Sequence, residues 1–146
     1  MTVFADSSAI VKLYVDEEGH GAVRALHALA VGQVARVEVP AAFWRKHRLG
    51  ELSAVDARIL TSAFEADYYG TIAERPRFVV VALTTGVLDG AATLCARYPL
   101  RGFDAIQLAS ALAVRDVDPG VSTMAVYDAG LRAAAAGEGL AVLPAR

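Results

Sequence analysis

Short runs of consecutive apolar residues, each followed by a helical pattern, constrain this chain's fold more than any other feature. In "RPRFVVVALT" the run Phe78 to Leu83 has no polar residue to turn toward water. A strand of this kind is buried on both faces, as in a parallel sheet. Met1 to Ala5 reads the same way, Val31 to Ala35 is a weaker candidate, and Thr123 to Tyr127 and "LAVL" near the C-terminus complete a set of about five. Helical spacing fills the intervals. Ser7 to Tyr14 places Ala9, Ile10, Leu13 and Tyr14 on one side, and Ala22 to Ala30 forms a second helical run. In "VEVPAAFWRKHRLG", Pro40 is expected in a first helical turn and Gly50 at the helix stop. Ser53 is a fair N-cap for a long helix through Tyr69. Val87 to Tyr98, Phe103 to Val114 and Leu131 to Ala136 are the remaining helices. Strands that alternate with one or two helices need crossover connections. The expectation is an α/β fold with a central parallel sheet and helices on both faces.

The length of 146 residues predicts one domain over 1–146, long enough to bury most of its apolar surface in a core. A chain 55% hydrophobic and 21% charged reads as globular. The net charge of -2 argues against a protein held on nucleic acid by bulk charge and leaves room only for a local basic strip. The single cysteine, Cys95, excludes an intrachain disulfide framework and fits a reducing compartment. Its setting in "AATLCARY" predicts a core filler. No basic leader is visible, and no apolar stretch approaches the roughly 18 residues of a membrane span. A cytoplasmic protein with no membrane association is expected.

Chemistry is carried by the acids. In a doubly wound sheet, ligands bind beyond the carboxyl ends of the strands. Asp6 ends the first strand in "VFADSSAIVK" and Asp128 ends "TMAVYD". Glu38 and Asp104 lie near helix starts, in "VEVPAA" and "RGFDAIQLASAL". Asp6 and Asp128 could each simply cap a helix. Four acids among apolar neighbours on one rim are harder to explain by capping, because like charges raise one another's pKa. A divalent cation removes that penalty, and an all-oxygen donor set without His or Cys selects Mg²⁺ or Mn²⁺. Such ions serve phosphate chemistry. The other acids, Glu17 among them, read as surface charges. Neither lysine, Lys12 or Lys46, follows a Walker-type glycine loop. His20, His27 and His47 are scattered, and no Gly-x-Ser-x-Gly elbow supports a Ser-His-Asp hydrolase.

"FADSSAIVKLYVDE" resembles the opening of PIN-domain ribonucleases, especially the VapC-type toxins of toxin–antitoxin systems. "RVEVPAAFWRKHRLGEL", "LRGFDAIQLASAL" and "AVYDAGLRAAAAGEGLAVL" resemble their later segments, in the same order. The resemblance covers essentially the whole chain, and its first and third segments are the specific ones. It implies a three-layer α/β/α sandwich and Mg²⁺- or Mn²⁺-dependent hydrolysis of RNA phosphodiester bonds to 5′-phosphate and 3′-hydroxyl ends. The family's acidic quartet falls on Asp6, Glu38, Asp104 and Asp128. Ser8 matches its small hydroxyl residue beside the first acid, although an ordinary place in the first helical turn accounts for it equally well. Two positions depart from the common pattern. Val126 stands where relatives often have Ser or Thr, and Gln107 where they often have His. Gln107 carries little weight here, because it lies on a helix and could simply pack there.

RNA contacts are sought in Arg45, Lys46 and Arg48 beside Trp44, and in Arg101 three residues before Asp104. The alternatives are a solvated helix face with Phe43 in the core, and an ordinary turn residue at Arg101. The resemblance implies a cognate antitoxin and a homodimer. Ile59, Phe64, Tyr68 and Tyr69 could supply an apolar contact face or belong to the core. Competing readings are a non-catalytic PIN-like module that binds RNA or protein, and a PIN nuclease of RNA processing outside any toxin system. Phosphatase and receiver chemistry is disfavoured: Ser8 stands where the former needs an acid, and no lysine follows Lys46.

Overall fold

Val3 and Phe4 are both buried, although neighbouring strand residues point to opposite faces. The sheet that contains them is therefore covered on each side. The computed structural model describes residues 1–145. Its strands are β1 (Thr2–Ala5), β2 (Ala28–Gly32), β3 (Phe78–Val81), β4 (Thr123–Ala125) and β5 (Ala141–Leu143). They form one sheet in the order β3-β2-β1-β4-β5, with every pair parallel. The helices are α1 (Ser7–Val11), α2 (His20–Arg24), α3 (Ala35–Arg48), α4 (Ala54–Tyr69), α5 (Thr85–Arg97), α6 (Gly102–Val117) and α7 (Ala129–Gly137). Val3, Ala5, Leu29, Val31 and Phe78 point into one core with α1 to α4. Phe4, Ala30, Met124 and Val126 point into a second core with α5 to α7. The three-layer α/β/α sandwich with a parallel five-stranded sheet is as the sequence predicts.

The first core is held by aromatic contacts. Phe64 of α4 meets Tyr14 edge-on at 6.0 Å and lies 5.8 Å from Tyr68 and 6.2 Å from Phe78, between ring centroids. Phe43 of α3 is buried and also meets Tyr14 edge-on. Trp44 is half-buried against the same core. Of the residues open to either role, Phe64 and Tyr68 are core, whereas Ile59 and Tyr69 are exposed. No described helix is long and apolar enough to cross a membrane.

Four local expectations are corrected. The helical run placed at Ala22 to Ala30 is interrupted, because Ala28 to Ala30 pair in parallel with Thr2 to Phe4 and begin β2 there. Pairing on both sides of β2 overrides the helical propensity of an alanine-rich stretch. The strand expected at Val31 to Ala35 therefore ends at Gly32. As a result α3 begins at Ala35, and Pro40 lies within the helix beyond its first turn. Cys95 is exposed and not a core filler: α5 turns Val87, Ala91 and Leu94 inward, which leaves the next residue facing solvent.

Candidate active site

The strand order locates the site before any side chain is considered. The chain runs outward from β1 through β2 to β3, then returns to the other side of β1 as β4. The crevice of such a sheet opens at the carboxyl ends of β1 and β4, where the direction of winding reverses. Asp6 directly follows β1, and its N–H still pairs with Ala125 of β4 at 3.2 Å. Asp128 lies three residues beyond β4 as the N-cap of α7. Glu38 comes from the first turn of α3 and Asp104 from the first turn of α6. All four line one open cleft of about 540 Å³.

Each carboxylate is fixed by one oxygen. Asp6 Oδ1 accepts from the Ala9 N–H and from Ser8 Oγ, both at 2.9 Å. Glu38 Oε1 accepts from Ser7 Oγ at 2.8 Å and from Gln107 Nε2 at 2.7 Å. Asp128 Oδ2 accepts from the Leu131 N–H at 2.9 Å. Asp104 Oδ2 lies 3.3 Å from the Arg101 guanidinium. Asp6 Oδ2, Glu38 Oε2, Asp104 Oδ1 and Asp128 Oδ1 accept no hydrogen bond from the described residues. The capping reading of Asp6 and Asp128 is thus correct as far as it goes. It uses one oxygen of each.

The electrostatics are one-sided. Asp6 is only 5% exposed. Burial holds its carboxyl up at about 6, and the charges of Asp104 and Glu38 push the same way against the Ala9 and Ser8 hydrogen bonds. No described Lys or Arg forms an ion pair with Asp6, Glu38 or Asp128. In this conformation no three described His, Cys, Asp or Glu side chains stand close enough to share an ion. The acids line the cleft without converging on a point. Their chemistry nonetheless fits a hard divalent cation: every donor is an oxygen, each carboxylate has one oxygen to spare, and three of the four have no cationic partner among the described residues.

The basic candidates also line the cleft but divide into two kinds. Arg45 and Arg48 are exposed and form no ion pair with a described residue. Lys46 is already engaged, 2.7 Å from Glu17 and 3.5 Å from Glu51, and Arg101 holds Asp104. Glu17 was expected as a free surface charge. Instead it lines the cleft and bridges Lys46 to Lys12, which lies 3.0 Å away. Burial works to raise its carboxyl, but the hydrogen bonds from the two lysines outweigh that and hold it below its usual value.

Ser7 is a cleft residue that the sequence reading did not single out, and Gln107 is one that it named only as a departure from the family pattern and discounted as packing. Gln107 stands three positions after Asp104 on α6, a spacing that puts both on one helix face. That spacing is the signal that it faces the cleft with Asp104 and does more than pack. Nothing in the sequence marks Ser7, because its partner Glu38 is 31 residues away.

Comparison with known proteins agrees with this fold. The model of the PIN domain family matches residues 3–117. Two curated relatives in Mycobacterium tuberculosis, Ribonuclease VapC45 and Ribonuclease VapC49, are each 38% identical over 99% of this chain and 96% of their own length. Among solved structures, FitAcB from Neisseria gonorrhoeae has a TM-score of 0.63 at 15% identity, covering 96% of this chain and 95% of that one. A toxin–antitoxin complex from Klebsiella pneumoniae has a TM-score of 0.59 at 17% identity, covering 90% of each chain. The fold, the order of its segments and the family match agree, and the chain belongs to the PIN domain family.

Proposed function

We propose that this protein is a divalent-metal-dependent endoribonuclease, the toxin of a toxin–antitoxin pair, acting on RNA in the cytoplasm. The observation that carries the reading is the cleft itself, where four carboxylates from four parts of the chain each present an oxygen without a donor among the described residues. The near full-length similarity to proteins named as ribonucleases supports the choice of RNA.

Asp6, Glu38 and Asp104 would hold one Mg²⁺ or Mn²⁺, directly or through water, and Asp128 would help hold a second ion or orient the attacking water. When bound, such an ion supplies charge stabilisation at the scissile phosphate and lowers the pKa of water. The chain's own groups do the rest. The Ala9 N–H and Ser8 Oγ keep Asp6 turned so that its other oxygen is available. With a carboxyl pKa of about 6, Asp6 is largely ionised at neutral pH and begins to lose its charge in mild acid. Arg45 and Arg48 line the cleft, exposed and without an acidic partner among the described residues, where they could take backbone phosphates. No protein nucleophile is required. A cognate antitoxin and a second copy of the chain are the partners this reading includes.

The test is cleavage of mixed structured RNAs with Mg²⁺, with Mn²⁺ and with chelator, for wild type and Asp104→Asn. Cleavage should require an ion, vanish in the variant and leave 5′-phosphate ends. Cutting that persists in chelator or in Asp104→Asn would sink the reading. A second expectation concerns RNA affinity, measured in Asp104→Asn so that substrate survives. Replacing Arg45 and Arg48 together by Ala should weaken binding and reduce the slope of log K against log salt by about 1.4, the value for two lost contacts to a single strand. An unchanged slope would remove these arginines from the RNA path.

A further inference from the structure

Gln107 is the most deeply buried polar side chain of the cleft, at 2% exposed. Its Nε2 donates 2.8 Å to Ser7 Oγ and 2.7 Å to Glu38 Oε1. Ser7 Oγ donates to the same Glu38 Oε1 at 2.8 Å. Three residues from α1, α3 and α6 thus close a ring of hydrogen bonds on one carboxylate oxygen. The other end of the amide has nothing: Gln107 Oε1 is buried with no hydrogen-bond partner among the described residues. An orphaned buried acceptor is costly. Turning the amide over would be worse, because it would set the carbonyl oxygen against the Glu38 carboxylate and strip that carboxylate of a donor. The orientation is therefore dictated by Glu38.

The surroundings make room for this arrangement. A side chain at Gly32, the last residue of β2, would sit 3.3 Å from Ser110 Oγ and 3.6 Å from Gln107 Oε1. Glycine keeps the space behind the amide open. Ser110 is no partner for it, since its hydroxyl donates to the Ile106 carbonyl one turn back. Glu38 is left with one oxygen held by two donors and the other, Oε2, free of any described donor.

We propose that Gln107, together with Ser7, is a positioning residue that clamps Glu38 by one oxygen and so presents the other to the cation of the cleft. The inference rests on the metal-site reading given above. A free glutamate must lose side-chain freedom when it takes an ion, and the clamp removes that freedom beforehand. Groups that orient ligands in this way change metal affinity by roughly 10–100-fold when removed.

The test is a calorimetric titration of the ion-free protein with Mn²⁺ alone, paired with urea unfolding of the same samples. The variants are Gln107→Met, which keeps the shape and loses both donors, Ser7→Ala, Glu38→Gln, and Glu38→Gln combined with Gln107→Met. Gln107→Met should weaken Mn²⁺ binding by roughly 10–100-fold, and Ser7→Ala should weaken it less. The double variant should bind no worse than Glu38→Gln, because the clamp has no work once Glu38 has lost its charge. Wild-type affinity in Gln107→Met overturns the positioning role and leaves the metal site standing. So does a double variant in which the two losses simply multiply. A wild-type chain that takes up no Mn²⁺ overturns both the clamp and the metal-site reading.

Discussion

Asp6→Asn is expected to make the metal-free protein more stable at neutral pH while abolishing its cleavage of RNA. Both effects follow from where β1 ends. The strand delivers a carboxylate into a place where burial, and behind it the charges of Asp104 and Glu38, raise its pKa from the usual 3.8 to about 6. In the unfolded chain Asp6 titrates near the usual value. Below about pH 4 it is protonated in both states and carries no penalty. Between about 4 and 6 the unfolded chain ionises first, so rising pH draws stability away from the fold. Above about 6 the whole difference is expressed, at most about 3 kcal/mol for a shift of about two pKa units. Asn stays neutral throughout and can still accept the Ala9 N–H as the cap of α1.

Urea unfolding without metal should therefore find Asp6→Asn and wild type equal near pH 4. The variant should be ahead by roughly 1–3 kcal/mol at pH 8. Added Mn²⁺ should raise the stability of wild type by mass action and leave the variant where it was. Parallel stability curves across this pH range would mean that the carboxylate is not strained by its setting. The charge the fold disfavours would then be no part of what the cleft is for.

Phe64→Ala should cost about 3–5 kcal/mol, the range for emptying a large buried aromatic position. Phe64 is fully buried where α4 meets the sheet, among Tyr14, Tyr68 and Phe78. Its removal leaves a cavity and breaks several tilted and edge-on ring contacts at once. That is a large share of the about 5–15 kcal/mol that holds a domain together. Urea denaturation of the metal-free protein measures it. A loss below about 1 kcal/mol would mean that α4 collapses into the gap, and the aromatic cluster would then not be what fixes α4 against the sheet. Ile59→Ala on the same helix serves as the control, because that side chain faces solvent and its loss should change little.

Much of this was legible in the sequence. Apolar runs without a polar face allow only doubly buried strands, and the helices between them allow only parallel crossovers, so the layers and the rim on which the four acids stand followed from pattern alone. Asp6, Asp104 and Asp128 were placed by their positions at strand and helix ends. Those are local facts, set within a few residues of each acid. The boundary of β2 was not local. Ala28 to Ala30 favour a helix in isolation and become strand because Thr2 to Phe4 on one side, and β3 on the other, complete their hydrogen bonds. Which basic residues stay free was also decided by the fold, since Glu17 reaches Lys46 across 29 residues. The clamp on Glu38 joins residues 7, 38 and 107, and Gln107 bonds Ser7 across 100 residues of chain. Sequence periodicity reports which way a side chain faces on its own element. Which atoms it meets there depends on how elements from distant parts of the chain pack, and only the tertiary structure decided that.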